Sequence, residues 1–183
     1  MALAPTLHDF DVTLSHVDAG VEGRFSVKAA RHPSESLERL WLRLLAWCWK
    51  WQEGITFGPG LSDPDAPDVL ARDLTGEETL RVRVGRQAPD RVQREADRHP
   101  HARVAVLFDS LQRLEAFVAT ARGEKLSRLS GVELAAVDAG LVAALAAVDE
   151  RRTRVAVTIV GDHLYVDRGG QTVDGPIHRM RLE

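Results

Sequence analysis

One segment limits the fold more than any other. Leu37, Leu40, Trp41, Leu44, Leu45 and Cys48 recur at i, i+3, i+4, i+7, i+8 and i+11, a single apolar stripe on an α-helix expected to run to about Trp51. Pro33 suits the first helical position, where its missing N–H has no partner to lose. Glu35 then falls in the first turn, where its charge offsets the helix dipole and can meet Arg39 at i+4. A helix with one apolar stripe must lay it on a second layer.

The remaining segments supply that layer as strands. Residues 7–14 alternate, with Phe10, Val12 and Leu14 facing inward, and residues 24–30 return after a turn at 18–23 as an antiparallel hairpin. Strands are expected at 68–73 and 79–84, and the continuous apolar run RVAVLF at 103–108 reads as a strand buried on both faces. Helices are expected at 90–98, 110–121 and 138–148, a strand at 132–137, and antiparallel strands at 154–160, 163–167 and 172–181. Hairpins mixed with crossover helices define an α/β or α+β fold with a mixed sheet. The Gly/Pro-rich stretch 58–67 is short enough for an ordinary loop, so residues 1–183 are read as one domain.

Composition removes several classes of function. A chain of 183 residues with 44% hydrophobic and 28% charged residues can build its own core. No apolar run approaches the roughly 18 residues of a membrane span. A net charge of −3 excludes a globally basic nucleic-acid coat. The single cysteine excludes an internal disulfide and, with no leader-like pattern at residues 1–5, points to a cytoplasmic protein.

Three places could carry chemistry. Glu38 lies at the margin of the helix stripe and Glu35 further out; a carboxylate at a core margin needs a cation or a donor. Pro67-Asp68 opens one strand, and Arg83-Val84-Gly85 closes the next. Carboxylates on neighbouring strand ends are hard-oxygen ligands of the kind Mg²⁺ takes. Residues 81–103 hold arginines 81, 83, 86, 91, 94, 98 and 103, a pattern able to track phosphates or to form a solvated helix face. His99-Pro100-His101 has the wrong spacing for a helix-borne metal pair. Trp47, Trp49 and Trp51 include positions off the apolar stripe, which would suit a protein-interaction surface.

These residues together resemble a known family. The segments ARHPSESLERLWLRLLAW (30–47), FGPGLS (57–62), APDVLARDLTGEETL (66–80), RVRVG (81–85) and RVQREA (91–96) are similar to the YaeQ-like family. That family resembles the PD-(D/E)XK nucleases, in which a mixed sheet flanked by helices gathers metal-binding acids at one edge. The resemblance implies the helix acid at Glu38, with Glu35 as alternate, the Pro-Asp motif at Pro67-Asp68, and the third motif at Arg83-Val84-Gly85. In those nucleases the two strand acids hold Mg²⁺; the family itself implies no defined substrate, and nucleic acid enters as a partner that the arginines would suit.

The third motif departs from the pattern, because Arg83 stands where relatives carry an acid and Gly85 where the nucleases carry lysine. Exchanging an acid for a guanidinium changes the local charge by two units. At about 4 Å and an effective dielectric near 20, each unit contact is worth about 4 kcal/mol, here against a metal. The chain is therefore expected to bind no metal, with Arg83 closing the site by pairing with Asp68 or Glu38. It would be an impaired nuclease whose Arg83, Arg86, Arg91 and Arg94 hold phosphates. Two other readings stand beside it. An active Mg²⁺ nuclease would recruit Asp73, Glu77 or Glu78, and an interaction module would present its tryptophans.

Overall fold

The computed structural model describes residues 4–183, so Met1 to Leu3, part of the stretch read for a leader, lie outside the described residues. The chain runs β1 (Thr6–His16), β2 (Val21–Arg31), α1 (Leu37–Trp49), β3 (Ile55–Phe57), β4 (Val69–Arg72) and β5 (Glu78–Val84). It continues with α2 (Pro89–Arg98), β6 (Arg103–Phe108), α3 (Leu111–Gly123), β7 (Glu133–Ala136) and α4 (Ala139–Leu145). Strands β8 (Arg152–Val160), β9 (His163–Arg168), β10 (Gln171–Pro176) and β11 (His178–Met180) complete it. No helix among the described residues is long and apolar enough to cross a membrane.

The fold is mixed α+β, but with two mixed sheets where the sequence suggested one. The first has the order β10-β9-β8-β1-β2 and the second β11-β7-β6-β5-β4-β3. The hairpin β1–β2 pairs from Thr6 with Arg31 to His16 with Val21, and its alternation buries Phe10, Val12 and Leu14 as expected. Strand β8 joins β1 in parallel, from Asp9–Arg152 to His16–Ile159. The tail does not run as one strand over 172–181. It breaks at the buried Ile177, placing β10 in the first sheet and β11 in the second.

Helix α1 lies between the sheets. Every residue from Leu40 to Trp49 is buried. Its core joins Phe10, Leu14, Val157 and Ile159 of the first sheet to Leu80, Val82 and Val84 of the second. A helix enclosed on both sides buries its whole circumference, not one stripe. Helices α2 and α3 cover the other face of the second sheet, where Val92, Leu114 and Phe117 pack with Val104, Val106 and Phe108. Strand β6 thus feeds both cores by alternation, Ala105 and Leu107 to one and its neighbours to the other.

The start of α1 corrects the sequence reading. Ser36 is the N-cap, its Oγ accepting from the Arg39 N–H at 3.2 Å, so Pro33 and Glu35 precede the helix. A turn closed by the Glu35 N–H on the His32 carbonyl (2.8 Å) instead folds Glu35 under the helix.

Candidate functional site

The carboxylate of Glu35, buried by that turn, lies one and two helical turns below two arginines. Arg39 Nη1 donates to Glu35 Oε1 at 2.9 Å, and Arg43 Nη1 reaches Glu35 Oε2 at 3.2 Å. Arg43 is wholly buried and also donates to the carbonyls of Ala30 and Gly58, both at 3.0 Å. This fastens α1 to β2 and to the start of the 58–67 loop. Gly58 can only be glycine here, since a Cβ would lie 1.9 Å from the Pro67 carbonyl oxygen.

Arg39 spans two acids. Its Nη2 donates to Asp68 Oδ1, while Asp68 Oδ2 accepts the Val84 N–H at 2.9 Å. Asp68 is buried immediately before β4, where its own N–H donates to the Val82 carbonyl at 2.9 Å and its side chain takes the Val84 N–H of β5. Both carboxylate oxygens are thereby engaged.

Arg83 is turned away from this group. Strand alternation puts Arg81 and Arg83 opposite Leu80, Val82 and Val84, on the face that α2 covers. There the buried Glu95 accepts from Arg81 Nε at 2.8 Å through one oxygen and from Arg83 Nε through the other. The Arg83 fork holds the loop from behind, donating to the carbonyls of Pro64 (3.1 Å), Ala66 (3.1 Å) and Asp65 (2.9 Å). The expectation that Arg83 pairs with Asp68 or Glu38 is therefore corrected: its acid is Glu95, and Asp68's cation is Arg39.

A cleft of about 470 Å³ opens between the start of α1, the 58–67 loop and the end of β5. Glu38, Asp68, Arg83, Arg86 and Arg91 all line it, whereas Arg94 does not. Glu38 is exposed and makes no ion pair among the described residues. Arg86 is likewise exposed, and Arg113 enters from α3 with its own partner Asp109 at 2.7 Å. Five arginines in all face three acids.

With this geometry in view, comparison with known proteins gives one answer. The YaeQ protein family model matches residues 1–176. The chain belongs to the YaeQ family. It is similar to the YaeQ crystal structures from Xanthomonas axonopodis pv. citri (TM-score 0.87, 26% identity, 98% of this chain and 99% of that one) and Pseudomonas syringae (TM-score 0.85, 26% identity, 98% and 97%). It is also 38% identical over 73 residues to the uncharacterised protein YaeQ of Escherichia coli (strain K12), a match covering 40% of each chain. The chain thus matches about two fifths of the length of that curated relative.

In this YaeQ-family chain the donor set does not fit a divalent ion. Asp68 is engaged at both oxygens, Glu35 is engaged by two guanidiniums, and Arg39 puts a positive charge between them. Among the described residues no three His, Cys, Asp or Glu side chains gather as a metal site. The acids proposed to migrate stay away. Asp73 caps the far turn of the β4–β5 hairpin and Glu78 pairs with Arg72 and Arg81, while Glu77 lies in the same turn. Of the three tryptophans, Trp47 and Trp49 are buried and Trp51 is half-buried, its ring centroid 4.9 Å from that of Phe25. Burial raises the pKa of Cys48, which leaves it a poor nucleophile.

The sequence reading missed two buried charged groups that hold the site together. Arg43 had a visible signal, a lone guanidinium inside LWLRLLAWCW. Glu95 had none, since its importance depends on α2 settling over β5.

Proposed function

We propose that this YaeQ-family domain is a nuclease-like protein with impaired metal-dependent chemistry whose cleft binds the phosphate groups of a nucleic acid. The observation that carries this reading is the occupation of Asp68 by Arg39 and the Val84 N–H. An internal cation neutralises the carboxylate that a Mg²⁺ ion would use, and the arginine surplus of the cleft attracts an anion. Arg86 is the freest of these side chains and makes the first phosphate contact, with Arg113 able to exchange Asp109 for it. Contacts of this kind position a backbone without reading its sequence.

Two measurements test the reading together. Wild type is expected to bind single-stranded oligonucleotide at low salt with a steep salt dependence, reduced in Arg86→Ala. It is also expected to show no saturable Mn²⁺ binding. In Arg39→Gln, Asp68 loses its cation, and weak Mn²⁺ affinity becomes measurable. Mn²⁺-dependent cleavage by wild type, abolished in Asp68→Asn, would overturn the reading, as would flat binding at low salt.

A further inference from the structure

The arginines that the sequence presents as one series lie in two places. Behind the 58–67 loop a second cavity of about 440 Å³ opens between β5 and α2. Arg91, Arg94 and Arg98 border it from α2 at i, i+3 and i+7, so one helix face carries all three. Buried Arg81 and Arg83 form its floor. Two acids border it: Glu95, already spent on both floor arginines, and Asp65, which is largely exposed. Arg98 is exposed and has no carboxylate within 4.0 Å among the described residues, and Arg94 holds only the exposed Asp90 at 2.8 Å.

This cavity adjoins the cleft. Pro64, Arg83 and Arg91 line both, and Arg91 stands on the ridge between them, donating to the Pro64 carbonyl. We propose that the cavity is a second phosphate subsite, and that a linear chain of phosphates lies from the cleft across Pro64 and Asp65 to Arg94 and Arg98. The assignment rests on the cleft being a phosphate site and extends it to a ligand class: an extended polyanion, not a single nucleotide. Arg81 and Arg83, whose one buried counter-charge is fully committed, form the floor; at the rim Arg98 can meet a phosphate without displacing a carboxylate, while Arg91 and Arg94 would exchange the exposed Asp65 and Asp90 for it. Two adjoining subsites reward chain length, because a second contact on one ligand is intramolecular.

Nucleic acid and inorganic polyphosphate share this chemistry, so both are titrated: a long oligothymidylate, a thymidine dinucleotide and long-chain polyphosphate. Binding is followed over a salt series for wild type, Arg94→Ala/Arg98→Ala and Arg86→Ala/Arg113→Ala, with folding checked by circular dichroism. Both pairs of side chains are solvent-facing, so the variants are expected to fold. The α2 pair is expected to lower the salt slope for the long oligonucleotide by about 1.4, two single-strand contacts' worth, and to leave dinucleotide binding unchanged. The arm that binds with this dependence identifies the source of the phosphates. An unchanged slope in the α2 pair, with loss in the cleft pair, overturns the second subsite and leaves the cleft reading standing. Loss in the α2 pair alone overturns the cleft reading, and with it the chain of phosphates running from the cleft to α2.

Discussion

The two faces of the six-stranded sheet solve the same problem with acids of different burial, both buried on one face and only one of two buried on the other. On the α1 face, Arg39 and Arg43 share Glu35, and Arg39 continues to Asp68, giving two acids for two arginines. On the α2 face, Arg81 and Arg83 divide a single buried carboxylate, Glu95, and complete their hydrogen bonding on Glu78 and loop carbonyls. The first arrangement neutralises both of its acids internally. The second holds two buried guanidiniums on one buried carboxylate, with Glu78 and loop carbonyls completing the set. The lesson is that an arginine's partners are set by the acceptors its face of the sheet provides, not by its place in a charge run.

The comparison breaks most visibly at Glu35. Glu35→Ala leaves Arg43 wholly buried with two carbonyls and no carboxylate. An uncompensated buried charge of this kind costs about 3–5 kcal/mol, to be read from urea denaturation. A loss under about 1 kcal/mol would mean that the carbonyls alone suffice. Glu95→Ala is expected to cost less, about 1–3 kcal/mol by the same measurement, because Arg81 keeps Glu78 and Arg83 keeps three carbonyls. The reverse order would refute the distinction between the faces.

The smallest effect sharpens the contrast at the solvent end of the same hairpin. Asp73 is exposed, and the Thr75 hydroxyl, followed by the backbone N–H groups of Thr75 and Glu77, holds its carboxyl below the ordinary aspartate range. A carboxylate with a lowered folded pKa contributes stability at neutral pH. That contribution is lost as pH falls from the usual aspartate value through the lowered one. Acid denaturation of wild type should therefore show a shallow loss over that window that Asp73→Asn lacks. Identical pH profiles would show that the turn does not depend on the charge.

Much of the fold was legible. The alternation at Phe10, Val12 and Leu14 located β1 and its inward face, and RVAVLF was recognisable as a strand packed on both sides. The site was half legible. Glu38, Asp68, Arg83, Arg86 and Arg91 do border one cleft, but the partners within it were misassigned. Arg83 and Asp68 are neighbours across β4 and β5, yet one side chain drops toward α2 while the other lies along the strand end and meets Arg39. The short β3 and the parallel β1–β8 pairing left no local mark, because each depends on a strand distant in sequence or on a loop's return.

The sequence by itself determined which residues form helices and strands and which side of each strand is apolar, since those follow from 100° and 180° steps along a local stretch of chain. The tertiary structure alone decided that a second sheet closes over α1 and buries its nominal outer face. It alone decided that Glu95, not Asp68 or Glu38, receives Arg83. A side chain's partner is set by the layer that settles on it, and that layer is brought by segments far away in the chain, whose docking no local periodicity encodes.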